Sequence, residues 1–178
     1  KEIAMGLKYL KRAVKTGEQS LSDVRDLVQG ILSDIETGGD EKAIEYAHKL
    51  DKYTGKIVLN ADDISAAATQ VPQTIKDDIR FAYDNVRKFA EAQKATLHDF
   101  DIEVVPEFTT GQKYIPCKSV GCYIPGGRYS HVASAIMTVT TAKVAGCTHI
   151  SACSPPRLDI GINPAIVYTQ IYAVLTPS

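Results

Sequence analysis

The sequence predicts an α/β protein with a helical N-terminal region, residues 1–100, followed by an α/β region, residues 101–178. In the first region, apolar side chains recur at the three-to-four spacing of one helix face. After Asp99, short β-rich runs alternate with turn residues. The most informative stretch is Val120–Gly127, an apolar run that enters a Pro-Gly-Gly turn. A segment with few helix breakers follows, and then Thr148–Pro156 forms a second β-rich run, which completes the outline of a β-loop-α-β unit.

The composition is that of an ordinary globular protein. Of the 178 residues, 44% are hydrophobic and 23% are charged, and the net charge is -1. This charge gives no support for a nucleic-acid or membrane surface. The apolar runs are too short to span a bilayer, and residues 1–10 lack the apolar core of a signal peptide. We therefore expect a cytoplasmic protein with no nucleic-acid or membrane partner.

Helix signals dominate the N-terminal region. Ser22 can cap a first helix, which the glycines of Thr37–Asp40 then break before a second helix begins. Asn60 or Asp62 begins a short alanine-rich helix. Pro72 opens the longest helix, because a proline at a helix start loses no intrahelical hydrogen bond. Its predicted apolar face consists of Ile75, Ile79, Ala82, Val86, Phe89 and Ala90.

Two strands are predicted directly after the helices. They cover Ile102–Val105 and Tyr114–Ile115, and they are separated by Pro106 and by a turn at Thr109–Gly111.

The parallel unit follows, with strands predicted at Lys118–Tyr123 and Thr148–Cys153. Between them, Ser130 can cap a helix that Gly146 terminates at Ala145. Pro164 then opens a last helix that is expected to continue through Gln170.

The cysteines and histidines do not form a recognisable metal site. Cys117, Cys122, Cys147 and Cys153 contain no C-x-x-C pair, and we expect mainly packing roles for thiols in or beside strands. The histidines are scattered, without an H-x-x-x-H pair.

The Pro125-Gly126-Gly127 turn is the main candidate for chemistry. Glycines at the end of a strand let a ligand approach the backbone, and the following helix N-terminus offers free N–H groups to an anion. The turn is not a G-x-G-x-x-G motif, so an ordinary βα turn remains the alternative. Tyr123 precedes it, and could either stack on a flat ligand or pack on the sheet. Arg128 and His131 would lie beside the same crevice, either as ligand contacts or as solvated side chains.

Three motifs together resemble the histidinol dehydrogenase family. They are the glycine turn in Ser119–Arg128, the A-K-V-A-G sequence of Ala142–Gly146 and the S-P-P sequence within Cys153–Arg157. The segments Ala135–Met137 and Gly161–Ala165 are also similar to the family. The motifs occur in the family's order and at compatible spacing.

The resemblance implies a function that the residues alone do not. Enzymes of this family use NAD and zinc to oxidise an alcohol to a carboxylate through an aldehyde. They fold as paired incomplete Rossmann-like domains and work as intertwined homodimers. The resemblance therefore implies that residues 101–178 form an incomplete Rossmann-like parallel-sheet domain. It also matches Tyr123 to the NAD-contacting tyrosine and Pro125, Gly126 and Gly127 to the turn around it.

The chain departs from the family pattern in two respects. The family is more than twice as long, and its zinc ligands and its catalytic Glu-His pair belong to the part that is absent here. Near residues 170–178 the chain looks truncated or internally deleted, because Ile171–Val174 resembles a strand that the family places later.

The expected substrate is an alcohol, with histidinol and sulfopropanediol as rivals. Arg128–Ser134 and the Thr138–Thr141 run resemble the branch that oxidises sulfopropanediol. We expect the parent enzyme to be an NAD-dependent dehydrogenase and this chain alone to be inactive, with zinc ligands and catalytic residues elsewhere. The alternative is a non-catalytic folded fragment, or a module for dinucleotide binding or dimerisation.

Overall fold

The computed structural model describes the backbone of residues 18–126 and 130–176, with side chains from residue 22 onward in these ranges. Gly127, Arg128 and Tyr129 therefore lie outside the described residues. In chain order the elements are α1 (Glu18–Asp51), α2 (Ala61–Gln70), α3 (Gln73–Lys94), β1 (Phe100–Val105), β2 (Phe108–Gln112), β3 (Ser119–Tyr123), α4 (Val132–Ala145), β4 (His149–Cys153) and α5 (Pro164–Leu175). The chain divides into two compact units between Tyr46 and Ala47.

The first unit contains most of α1, and its predicted glycine break is confirmed. Gly39 has φ 61° and ψ -148°, so the helical geometry stops there and resumes beyond it. A positive φ of this kind favours glycine, because a Cβ atom would strain the backbone. The Tyr46 hydroxyl donates a hydrogen bond of 2.6 Å to Asp34 Oδ2 and thereby joins the two sides of the break. Helix α1 already begins at Glu18, before the predicted cap at Ser22.

The second unit opens with two helices whose starts follow from local chemistry. Asn60 is the N-cap of α2: its Oδ1 accepts from the Asp63 backbone N–H at 3.0 Å, while Asp63 Oδ2 accepts from the Asn60 N–H at 2.8 Å. This reciprocal capping box decides between Asn60 and Asp62 in favour of Asn60. Pro72 occupies the N-cap of α3, as the sequence predicted within one residue.

The predicted turn at Thr109–Gly111 is wrong, and so is the predicted strand at Tyr114–Ile115. Strand β2 includes residues 109–111 and pairs antiparallel with β1, so that Asp101 faces Gly111. The chain reverses instead at Pro106 and Glu107, where Glu107 has φ 69° and its N–H donates to Glu103 Oε1 at 2.8 Å. Pro106, which was expected to separate the two strands, lies in the actual turn, whereas Thr109–Gly111 lies in a strand.

The predicted parallel unit is confirmed. Strands β3 and β4 are parallel neighbours, with Ser119 opposite His149 and Tyr123 opposite Cys153. Helix α4 connects them and ends at Gly146, whose φ of 96° is left-handed. The predicted cap at Ser130 is wrong, because His131 holds the N-cap position and makes no side-chain capping bond.

Helix α5 is longer than predicted and takes up the strand-like Ile171–Val174 segment. Asn163 caps it by accepting from the Ala165 N–H at 2.9 Å. No glycine or proline lies between Gln170 and Leu175, so the helix continues to Leu175. Ala173 is fully buried near the end of α5, and this burial stabilises the helical conformation of the segment.

The core of the second unit lies between α3, α4, α5 and β3. Tyr83 is 1% exposed, and its ring meets the Tyr172 ring edge-on with centroids 5.2 Å apart. The predicted α3 face is confirmed at Ile79 and Ala90, whereas Phe89 is 67% exposed. The buried cluster consists of Tyr83, Cys122, Ile124, Ala135, Ile136, Val139, Ile166 and Ala173. The unit is thus mixed α/β, as predicted.

The compact units are divided between Tyr46 and Ala47, whereas the sequence predicted a boundary between two regions near residue 100. Helices α2 and α3 belong to the same unit as the parallel strands because α2 packs on α5 and α3 packs on α4. Among the described residues, no helix is long and apolar enough to cross a membrane.

Candidate functional site

A cleft of about 320 Å³ lies at the carboxyl ends of the two parallel strands. Tyr123 ends β3, and Cys153 ends β4 directly opposite it. The Ile124 N–H donates to the Cys153 carbonyl at 2.8 Å, so the segments that follow β3 and β4 remain paired at the end of the sheet. In open α/β sheets, ligands bind at this edge. We call this the strand-end cleft; its strand side consists of Tyr123, Cys153 and Ser154.

Tyr123 is the predicted site residue that lines the strand-end cleft. Its side chain is 61% exposed, so the sheet-packing alternative does not describe it. An aromatic ring at the rim of a cleft offers a flat apolar surface and a hydroxyl group to a ligand. Its contact with a cofactor stays a prediction. Pro125, two residues after Tyr123, is exposed.

Gly126 is packed tightly against the chain that leaves β4. A Cβ atom on Gly126 would lie 3.0 Å from the Pro155 carbonyl oxygen and 3.0 Å from Ser154 Oγ. Both distances are shorter than ordinary carbon–oxygen contacts, so a side chain here would push the two segments apart. The glycine turn and the Ser-Pro-Pro motif therefore form one packed structure, although they are far apart in sequence.

Ser154 is a site residue that the sequence analysis missed. Its side chain is 9% exposed, and its Oγ is buried without a hydrogen-bond partner among the described residues. A buried hydroxyl without a partner is costly unless a ligand or water satisfies it. The sequence analysis interpreted Ser-Pro-Pro as the end of a strand and as a family motif, and it assigned no site role to Ser154. A polar residue just beyond a strand, opposite a glycine turn, was the available signal.

The opposite wall of the strand-end cleft comes from the chain between α1 and α2. Tyr53 and Lys56 line it. Tyr53 Oη lies 2.9 Å from the position of a Cβ atom on Gly161, so the tyrosine packs onto the loop after Pro156. Lys56 forms an ion pair with Asp63, which lowers the pKa of that carboxyl below its ordinary value. The charge of Lys56 at the cleft is therefore largely offset.

Of the other site residues considered in the sequence analysis, the structure describes only some. Gly127 and Arg128 fall outside the described residues, and their predicted roles remain predictions. His131 is exposed at the start of α4.

All four cysteines have free thiols, but their exposure differs. Cys122 is buried, as expected for packing, and burial raises the pKa of its thiol. The packing expectation is wrong for Cys117 and Cys153, which are exposed. Cys153 is exposed because it ends β4 at the open rim of the strand-end cleft.

No three histidine, cysteine, aspartate or glutamate side chains lie close enough together to hold a metal ion within residues 22–126 and 130–176. The residues described here therefore do not form a zinc site.

The sequence and the fold of the chain are similar to those of known proteins. The family model described as histidinol dehydrogenase matches residues 14–175. The chain belongs to the histidinol dehydrogenase family. It is 61% identical to the sulfopropanediol 3-dehydrogenase of Ruegeria pomeroyi over 92% of this chain and 38% of that protein. It is 35% identical to the histidinol dehydrogenase of Methanosarcina mazei over 87% of this chain and 36% of that protein.

A solved structure confirms the fold. The crystal structure of histidinol dehydrogenase from Elizabethkingia anophelis superposes with a TM-score of 0.78 at 31% identity. The match covers 92% of this chain and 36% of that one. The chain therefore spans well under half of the length of the relatives it matches.

Proposed function

We propose that the parent protein is a zinc- and NAD-dependent dehydrogenase that oxidises an alcohol to a carboxylate through an aldehyde. Family membership supports dehydrogenase chemistry. The single structural observation that carries the cofactor proposal is the strand-end cleft, which Tyr123 and Ser154 line together at the carboxyl edge of the parallel strands.

The residues of this cleft fit part of a dinucleotide. Its volume of about 320 Å³ is at the lower end of the range of small-molecule sites. Tyr123 can contact a ring, Ser154 Oγ can donate to an oxygen or accept from a hydroxyl, and Gly126 keeps the neighbouring backbone free of side chains. When bound, NAD would accept a hydride from the substrate. In this proposal the described residues bind and orient the dinucleotide. No proton transfer and no metal-dependent step is assigned to them.

We propose sulfopropanediol as the substrate and histidinol as its rival. The relative named for sulfopropanediol is 61% identical to the chain, whereas the one named for histidinol in Methanosarcina mazei is 35% identical. A sulfonate would require N–H donors and cations. The test is NADH production by the parent enzyme with each alcohol at equal concentration. A higher kcat/KM with histidinol would reverse the assignment.

For this chain alone, we propose binding without turnover. The described residues line the strand-end cleft and include no cluster that could hold a metal ion. The 178-residue chain with zinc, NAD and either alcohol should produce no NADH absorbance. Clear turnover would show that the catalytic groups are present after all.

Calorimetry with NAD tests the cofactor site directly. Tyr123→Ala should weaken binding because it removes the exposed ring at the cleft, and Tyr123→Phe should separate the ring from the hydroxyl. The matched control is Phe81→Ala, since Phe81 is also exposed, at 72%, but lies on α3 outside the cleft. If Tyr123→Ala binds NAD as well as the unchanged chain, the glycine turn is only a turn.

We also propose that the parent protein is a homodimer. Supporting this, the β1–β2 hairpin exposes Phe100, Ile102, Val105 and Phe108, each by more than half. Large exposed apolar surfaces commonly mark interfaces. Sedimentation of the parent protein at micromolar concentration should give the mass of two chains; a monomer mass would exclude the dimer.

A further inference from the structure

A second cleft lies between α3 and α4, at the opposite end of α4 from the glycine turn. It has a volume of about 560 Å³ and includes Thr140, Lys143, Arg87, Glu91 and Lys94 in its lining. We call it the α3–α4 cleft. Helix α4 has 14 residues, which corresponds to a length of about 21 Å. The α3–α4 cleft is therefore separate from the strand-end cleft.

Thr140 lines the α3–α4 cleft and has a buried hydroxyl without a partner among the described residues. The residue is 1% exposed, and its Oγ1 has no hydrogen-bond partner among the described residues. Its neighbours on the same helix behave differently: Thr138 donates to the Ser134 carbonyl at 2.7 Å, and Thr141 donates to the Met137 carbonyl at 2.6 Å. Bonding to the preceding turn is the usual solution for a helical threonine. Thr140 instead keeps a buried hydroxyl whose donor and acceptor are unused by the described residues.

Three cations and one anion line the α3–α4 cleft. Arg87 pairs with Glu91 at 2.7 Å. Lys94 and Lys143 form no ion pair with any carboxylate in the described part of the chain, and both bind backbone carbonyls instead. Lys94 donates to the Val144 carbonyl at 2.7 Å, and Lys143 donates to the carbonyls of Val174 and Thr176. The lining therefore carries an excess of positive charge.

Both lysines retain hydrogen-bonding capacity. An ammonium group has three donors, of which Lys94 uses one and Lys143 uses two in bonds to the protein. Burial, and then the charge of Arg87, lowers the pKa of Lys143 below its ordinary value. Both effects disfavour the ammonium form, and a negative ligand nearby would oppose them.

We propose that the α3–α4 cleft binds a small oxyanion, such as a phosphate or carboxylate group. Lys94 and Lys143, which keep unused donors, and Thr140, whose hydroxyl has no partner among the described residues, line the same cleft. Donors with positive charge form their strongest hydrogen bonds with ionised oxygens. A cation is disfavoured by the lysines, and a purely apolar ligand would leave Thr140 without a partner.

The experiment uses the ¹⁵N-labelled 178-residue chain and two separate titrations, one with inorganic phosphate and one with acetate, at constant ionic strength. Saturable chemical-shift changes are expected at the amides of Thr140, Lys143 and Gly146. Either saturating titration supports the proposal, and the tighter ligand identifies the source of the oxyanion. Linear, unsaturated shifts in both titrations would overturn it.

Two variants show whether the binding is specific to the cleft. Thr140→Val keeps the shape of the side chain and removes an unsatisfied hydroxyl, so the fold should be retained. Lys94→Gln removes one exposed charge. Each variant should weaken binding by about tenfold, the effect of one lost charge-assisted hydrogen bond. The matched control is Lys88→Gln, an exposed lysine of α3 outside the cleft. Equal weakening by Lys88→Gln would reduce the effect to general charge attraction and refute the site.

Discussion

Ser154 Oγ lies 3.0 Å from the position that a Cβ atom on Gly126 would occupy. A side chain at residue 126 would therefore force Ser154 or Pro155 to shift by a few tenths of an ångström. This contact connects the glycine turn to the Ser-Pro-Pro segment, in which Ser154 lines the strand-end cleft.

Gly126→Ala should destabilise the chain and reduce NAD affinity. The added methyl group must displace Ser154 or the Pro155 carbonyl, and overpacking of this kind costs about 1–3 kcal/mol. Urea unfolding measures the loss of stability, and calorimetry measures the affinity. Gly121→Ala is the matched control, because a Cβ atom at this position in β3 would meet nothing within 4 Å. Equal effects of the two variants would contradict the packing argument.

Ser154→Ala should weaken NAD binding without lowering stability. The hydroxyl is buried and has no partner in the described part of the chain, so its removal from the free protein loses no hydrogen bond there. In the complex, loss of one hydrogen bond should cost about 0.5–1.5 kcal/mol. Ser65→Ala, an exposed serine on α2, is the control. A drop in stability with unchanged NAD affinity would assign Ser154 a structural role only.

The capping box of α2 should make the stability of the chain depend on acid pH. Lys56 and then the Asn60 N–H hold the pKa of Asp63 below its ordinary value of 3.8. The folded state therefore favours the carboxylate, and its contribution is present above the unfolded pKa and is lost as the pH falls through the folded pKa. Asp63→Asn should lower stability at pH 7 and flatten this acid limb in urea titrations. Asp62→Asn is the neighbouring control. Parallel pH profiles for Asp63→Asn and the unchanged chain would contradict the assignment.

Local chemistry explains which parts of the fold could be predicted. The break at the glycines near residue 39 and the end of α4 at Gly146 depend on residues within one turn, and both were predicted. The start of α2 was narrowed to Asn60 or Asp62, and the capping box shows that it is Asn60. The hairpin reversal was assigned to Thr109–Gly111, but it occurs at Pro106 and Glu107, because strand pairing selects between two plausible turns.

The candidate site was predictable only in part, since it joins segments distant in sequence. Tyr123 and the glycine turn were identified from the order strand, turn, helix. Ser154 and Tyr53 were not, because their roles depend on packing against Gly126 and Gly161, which no short pattern reports. The burial of Tyr83 likewise depends on its contact with Tyr172 on α5.

Gly146→Ala should destabilise the chain through backbone strain alone. Gly146 has φ 96°, a left-handed conformation that costs a residue with a Cβ atom about 1–2 kcal/mol. Space is not the obstacle, because the nearest atom to such a Cβ would be Pro116 Cγ at an ordinary 3.5 Å. Gly146→Asn should recover part of the loss, since asparagine tolerates the left-handed region better than alanine does. The urea concentration at the unfolding midpoint should decrease in the order Gly146, Gly146→Asn, Gly146→Ala. If Asn is no more stable than Ala at this position, crowding near Pro116 rather than the positive φ limits the end of α4.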